Sequence, residues 1–206
     1  MKNSLGARTL VFPTPAWVVG TYDLEGKPNA MTAAWGGVCC SHPPCLAVSL
    51  RRATHTYASI VERKAFTISV PSEDKVRETD YFGMVSGKDV DKFAVAGLTP
   101  VRSSLVDAPY VGEFPLVVEC LLLHTLEIGG HTQFVGEILD VKADASVCDG
   151  KGSVDLGKVS PIVYAPEVRT YHGIGRLLGR AFSLGREIGG RAAATGTGEP
   201  IPNRNP

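Results

Sequence analysis

The chain has no net charge, no long apolar run and no even set of cysteines, and each gap closes off a class of function. Its 206 residues carry 21 basic and 21 acidic side chains, so the formal charge is zero. No global field draws such a chain to nucleic acid or to an anionic membrane surface, and the expected partner is small. The most apolar stretch, "FPLVVECLLL", is too short to span a bilayer as a helix and carries Glu119. The cysteines number five, an odd count that does not suit a disulfide scaffold. The apolar start "LVFPTPAWVVG" is broken by Pro13 and Pro15 and reads as the lead into a strand rather than a signal peptide. A reducing, cytoplasmic setting is expected. What is present is a hydrophobic content of 44% against 20% charged residues, enough for one globular domain with a proper core.

Strand signals dominate the first two-thirds. "AWVVGTY" (16–22), the turn "DLEGKPN" and the small-residue run "AMTAAWGGV" read as a β-hairpin. Ala30, Ala33, Ala34, Gly36 and Gly37 strip that second strand of bulk, which lets another surface approach its backbone. "PCLAVSL" (44–50), "AFTISV" (65–70), "LVVECLLLH" (116–124) and "HTQFVGEILDVKA" (131–143) are further strand candidates. Helices are expected after Thr54 or Thr56, after Ser72, and from a capping-box variant at Ser86 and Asp89 to a stop at Gly97. Ile174, Leu177, Leu178, Ala181 and Phe182 fall at helical spacing, giving an amphipathic helix weakened by glycines. Many short strands with few helices argue for a closed antiparallel barrel with peripheral helices.

Three clusters could carry chemistry. "GGVCCSHPPC" (36–45) gathers three cysteines and His42, but adjacent Cys39 and Cys40 point to opposite faces of an extended chain, and Cys120 and Cys148 bring no second ligand pair. It reads as a strand end and a proline-fixed turn, and no metal is expected. "SLRRATHTYASI" (49–60) joins a strand end, two arginines and a Thr-rich helix start, the three things a phosphate needs. The alternative is that Thr54 only caps the helix while Arg51 and Arg52 lie in solvent. Ser86, Gly87 and Lys88 repeat the pattern more weakly. "GIGRLLG" (173–179) has the wrong spacing and too little chain after it for a dinucleotide fingerprint. His131, at the mouth of a strand, is either a group that meets a substrate or cofactor edge or a hydrogen-bonded loop histidine.

The segment from "FPTPAWVVGTYDLEGKPNAMTAAWGG" through "SLRRATHTYASI", then "SGKDVDKFAVAGLTP" and "HTQFVGEILDV", resembles the flavin reductase-like family, and its flavoredoxin branch in particular, over about residues 8–185. That resemblance implies a mainly β, FMN-binding split barrel, a six-stranded antiparallel Greek-key barrel with peripheral α-helices. It also implies a homodimer with one non-covalent FMN per subunit near the interface. Met31, Thr32, Ala33, Ala34 and Trp35 would lie along the isoalloxazine. Ser49, Leu50 and Arg51 would sit beside the ribityl chain, Thr54, His55 and Thr56 at the phosphate, and Ser86, Gly87 and Lys88 would close the site. His131 stands where many members have a Gly-Asp-His stretch that meets nicotinamide or flavin, and Gly130 replaces that Asp here.

The resemblance thus implies an FMN-dependent electron-transfer oxidoreductase that passes electrons between a redox partner protein or small reductant such as NAD(P)H and an acceptor. An NAD(P)H:flavin or ferric oxidoreductase is the runner-up, and a non-catalytic flavin or haem module the alternative from another class. The expected organisation is a split-barrel domain over 1–170, an amphipathic helix over 171–190 and a disordered tail over 191–206.

Overall fold

Consecutive apolar residues in short runs, rather than a simple alternation, mark strands that are buried on both faces. The computed structural model describes residues 1–186 and 188, and the chain divides into two units, Met1–Ile174 and Gly175–Pro206. The first unit runs, in order, β1 (Thr14–Pro15), β2 (Trp17–Tyr22), β3 (Pro28–Ala33), β4 (Gly36–Ser41), β5 (Pro44–Leu50), α1 (His55–Arg63) and β6 (Ala65–Val70). A 3-10 turn (Glu73–Lys75) then leads into α2 (Val76–Met84), α3 (Lys92–Ala96), β7 (Pro100–Arg102) and β8 (Pro109–Val111). The long strands β9 (Leu116–Ile128) and β10 (His131–Ala143) follow, then a 3-10 turn (Ala145–Val147), α4 (Leu156–Val159), β11 (Ile162–Ala165) and β12 (Thr170–Gly173).

The large sheet has the order β3-β2-β6-β9-β10-β5-β4, with antiparallel pairing throughout. Its two outer strands, β3 and β4, are separated in sequence only by Ala34 and Trp35. Three Cα steps reach at most roughly 11 Å, so the two edges must come together and the sheet rolls into a barrel. The Ser49 N–H donates to the Trp35 carbonyl at 2.7 Å across the join. Counting β3 and β4 as halves of one broken strand gives the six strands that the family resemblance implied. The break leaves the outer edge of β3 without a strand partner, and that edge is the split.

Two apolar clusters flank β2 and β3. Val19 and Ala33 face the barrel interior with Leu46, Val48, Phe66, Ile68 and Phe134. Val18 and Ala30, on the opposite face, pack under α2 and α3 against Phe82, Phe93 and Val111. Each fully buried side chain of this size contributes about 1.5–3 kcal/mol relative to exposure. The double burial explains why "WVV" is not an alternating pattern.

Several expected elements change. Ser86 starts a turn and not a helix: α3 begins at Lys92, where the Asp91 carboxylate accepts from the Ala94 N–H at 3.1 Å, and it stops at Gly97 with φ 65 as expected. The carboxylate outcompetes the hydroxyl because it is charged and sits next to the helix. β9 extends past His124 to Ile128, because beyond Leu121 it leaves β6 and pairs only with β10. The helix expected over 171–190 is not formed at its start. Thr170–Gly173 is a strand on β11, and residues Ile174–Arg180 carry no regular structure. Gly173, Gly175 and Gly179 raise the cost of a helix there, whereas Tyr171 gains a cross-strand ring partner in Tyr164. Residues 187 and 189–190, and the tail over 191–206, lie outside the described residues.

Candidate functional site

The polar end of the site is the start of α1. β5 ends with Leu50 buried in the barrel, and Arg51–Ala53 turn the chain outward into the helix. Thr54 occupies the N-cap position, but its hydroxyl donates back to the Arg51 carbonyl at 2.8 Å and leaves the helix without a side-chain cap. No acidic residue lies in the first turn. A nine-residue helix thus presents free N–H groups and an uncompensated positive dipole end. Arg52 pairs with Glu127, but among the described residues neither Arg51 nor Lys88 has an ion-pair partner.

The turn Ser86–Lys88 closes over this helix start. A Cβ on Gly87 would fall 2.1 Å from Asn29 Oδ1 and 3.1 Å from His55 Cδ2, so only glycine allows the approach. Two segments that the sequence showed as separate anion candidates are therefore one locus. Asn29 Nδ2 donates to Thr56 Oγ1 at 3.0 Å, which turns the Thr56 hydroxyl inward and leaves this residue's backbone to face a ligand. Asn29 Oδ1 and His55 Nε2 are buried without a hydrogen-bond partner, and the imidazole lies 3.6 Å from the Asp23 carboxylate. Free helix N–H groups and cations without an ion-pair partner together fit a phosphate.

The apolar end is a cavity of about 390 Å³. Thr32, Ala34 and Trp35 form one wall, Asp80, Gly83 and Met84 of α2 a second, and Tyr164, Arg169 and Tyr171 of the β11–β12 hairpin a third. The Tyr171 hydroxyl donates to Asp80 Oδ1 at 3.0 Å, and burial together with this carboxylate pushes the phenol above its ordinary value. Met31 and Ala33, the intervening residues of β3, pack into the barrel core instead. The bareness of the strand has more than one cause. A Cβ on Gly36 would fall 2.7 Å from the Trp17 ring, so that glycine serves barrel packing, while Ala34 serves the cavity. From Asn29 to Ala34 is five residues of extended chain, roughly 17 Å, and this length separates the two ends.

An anion locus and an aromatic-walled cavity at the two ends of β3 suit a nucleotide-like ligand with a flat ring. Residues 8–172 match the model of the "Flavin reductase like domain" family. The chain belongs to the flavin reductase-like family. The solved flavoredoxin of Desulfovibrio vulgaris (Miyazaki F) is 57% identical with a TM-score of 0.86, covering 90% of this chain and 100% of that one. Flavoredoxin from Methanosarcina acetivorans is 28% identical with a TM-score of 0.83, covering 91% and 100%. A relative from Archaeoglobus fulgidus is 33% identical over 129 residues, 63% of this chain and 73% of its own. This flavin reductase-like chain is accordingly a flavin-binding redox protein with the split-barrel fold.

Within this flavin reductase-like site, one residue was not legible from sequence. Lys92 is buried, and its Nζ donates to the Ala30 carbonyl at 2.8 Å and the Phe82 carbonyl at 2.9 Å. Burial lowers the amine to about 8. It ties the C-terminal end of α2 to β3, and so holds the chain that runs from Gly83 at the cavity to Gly87 at the anion locus. Nothing in "DVDKFAVAG" signals this, because the two carbonyls come from distant segments. Ser49 bridges the barrel join through its N–H, and Leu50 is core. His131 is not in the cavity wall. Register places it one position beyond Thr132↔Leu50, at the same barrel end as Arg51. β4 carries Cys39 and Cys40 away from the cavity, and neither lines it. Among the described residues no group of three or more His, Cys, Asp or Glu could hold a metal ion, and no helix is long and apolar enough to cross a membrane.

Proposed function

We propose that the chain is an FMN-dependent electron-transfer oxidoreductase of flavoredoxin type. The observation that carries this reading is the junction at Gly87, which joins a phosphate-type locus to a ring-sized cavity through one short loop. Arg51, the α1 N–H groups, Ser86 and Lys88 hold the phosphate, and Thr54 joins them by turning its hydroxyl from the Arg51 carbonyl to the phosphate. Thr32, Ala34 and Trp35 form the floor for the ring, and the outer edge of β3, where every second residue turns its N–H and C=O away from the sheet, offers the ring hydrogen bonds. When bound, FMN supplies the redox chemistry. The protein binds, orients and shields. Asp80, the carboxylate in the cavity wall, accepts a hydrogen bond from the Tyr171 hydroxyl.

The active form is a homodimer. The outer half of the β9–β10 hairpin exposes Leu121, Leu123, Leu126 and Ile128. A monomer rarely leaves such a cluster in water, and a second copy of the same apolar hairpin covers it. Light scattering of wild type against Leu126→Lys tests this: the variant should fall to half the mass. Five unpaired thiols suit the reducing cytoplasm.

The decisive experiment is anaerobic titration of FMN-loaded protein with NADH, NADPH and reduced protein carriers, followed by visible absorption. Bleaching by a reduced protein carrier alone supports the proposal. Rapid bleaching by NADH or NADPH selects a pyridine-nucleotide reductase instead. Protein that takes up no FMN overturns both.

A further inference from the structure

The tip of the β4–β5 hairpin carries a cysteine pair that the flavin site does not use. Cys40 and Cys45 stand directly opposite each other in the β4–β5 register, on either side of the two-residue loop His42–Pro43. Their thiols converge on that loop: Cys40 Sγ donates to the His42 carbonyl and Cys45 Sγ to the Pro43 carbonyl, each at 3.4 Å. Directly opposed residues of an antiparallel pair hold their Cβ atoms about 4.5–5.5 Å apart. A disulfide needs about 3.5–4.5 Å, so closure takes a shift of roughly 1 Å at a hairpin tip.

We propose that Cys40 and Cys45 form a reversible dithiol–disulfide couple that reacts with small-molecule disulfides. The exposure of the two residues sets the order of events. Cys40 is exposed and Cys45 is 4% exposed. The Cys40 thiolate attacks one sulfur of the small disulfide, forming a mixed disulfide and releasing one thiol. Cys45, after losing its proton, attacks the Cys40 sulfur and displaces the second small thiol. The protein loses two hydrogens and two electrons, and the small disulfide gains them as two thiols. Burial, reinforced by Cys40 and Cys39, holds the Cys45 thiol above its ordinary value, so the second step is the slower one at neutral pH. Cys39 takes no part because it sits at a bulge between Val38 and Cys40, outside the opposed pair. Cys120 is fully buried and its thiol is pushed to about 12, again by burial first. The couple stands on hairpin geometry alone and is independent of flavin binding.

The test uses the full chain, reduced, freed of reductant and equilibrated with oxidised glutathione, then alkylated and weighed. Wild type should lose the mass of two hydrogens, carry no glutathione, keep three alkylatable thiols and yield a peptide linking residues 40 and 45. Cys45→Ser should retain one glutathione on Cys40. Cys40→Ser, a surface change that leaves the packed Cys45 in place, should form no cross-link, and Cys39→Ser should behave as wild type. A stable glutathione adduct on the wild type, five free thiols after equilibration, or a cross-link that maps to any other pair overturns the proposal.

Discussion

The two ends of the candidate flavin site are built by opposite means. The anion locus draws most of its groups from one stretch, residues 51–56, where a strand end, a hydroxyl and a helix start follow one another in the chain. Its strength is local: free N–H groups and unpaired cations that any short segment can present. The cavity takes its walls from β3, α2 and the β11–β12 hairpin, more than 130 residues apart. Only its β3 wall has a local signature, the run of small residues, and the other two walls have none. One end is chemistry that the chain carries along its length, and the other is shape that exists only after folding.

Separate measurements of FMN and riboflavin, which lacks the phosphate, pull these ends apart. The largest effect is expected from Arg51→Ala combined with Thr54→Ala. Loss of a charged and a polar phosphate contact costs about 3 kcal/mol, or about 100-fold in FMN affinity, while riboflavin binding stays unchanged in fluorescence titration. Equal loss for both ligands would place these residues away from the phosphate. Ala34→Leu should do the reverse, filling the cavity and lowering affinity for both ligands by about tenfold. Gly87→Ala acts at the hinge between the ends. Its Cβ forces the Ser86–Lys88 turn off Asn29, and several-fold weaker FMN binding is expected together with a lower Tm. An unaltered Tm and affinity would show that the turn does not close on α1.

Smallest near neutrality is the effect of Lys92→Met, which appears as a pH dependence. Burial holds the amine at about 8 against an ordinary 10.5. Between these values the folded state binds fewer protons than the unfolded state, so Lys92 adds stability as pH rises through that window and adds least below pH 8. In urea melts the wild type should gain on Lys92→Met from pH 8 to 10.5. A constant difference between the two would mean that the buried amine keeps its proton.

Much of the fold was legible because its signals are local. The β10 strand is found at 131–143 as read, since its pattern is bounded by Gly129–Gly130 on one side and by the polar run after Ala143 on the other. Ser86 was misread because a hydroxyl three residues before an acid looks like a cap whether or not the helix begins there. The helix expected over 171–190 does not begin at 171, because helical spacing of Ile174, Leu177 and Leu178 says nothing about Tyr171, whose partners Tyr164 and Asp80 lie on β11 and α2.

The chain by itself determined which segments are strands and where cations gather at a helix start, because backbone propensity, turn residues and helix-end charge act over a few neighbouring residues. Only the tertiary structure decided that the 86–88 turn seats against Asn29 and His55, that Lys92 fastens α2 to β3, and which face of β3 meets the cavity. Those outcomes depend on barrel closure through Ala34 and Trp35, where two residues bring the far edges of the sheet together. Contacts across such a closure join segments whose separation along the chain carries no information about their distance in space.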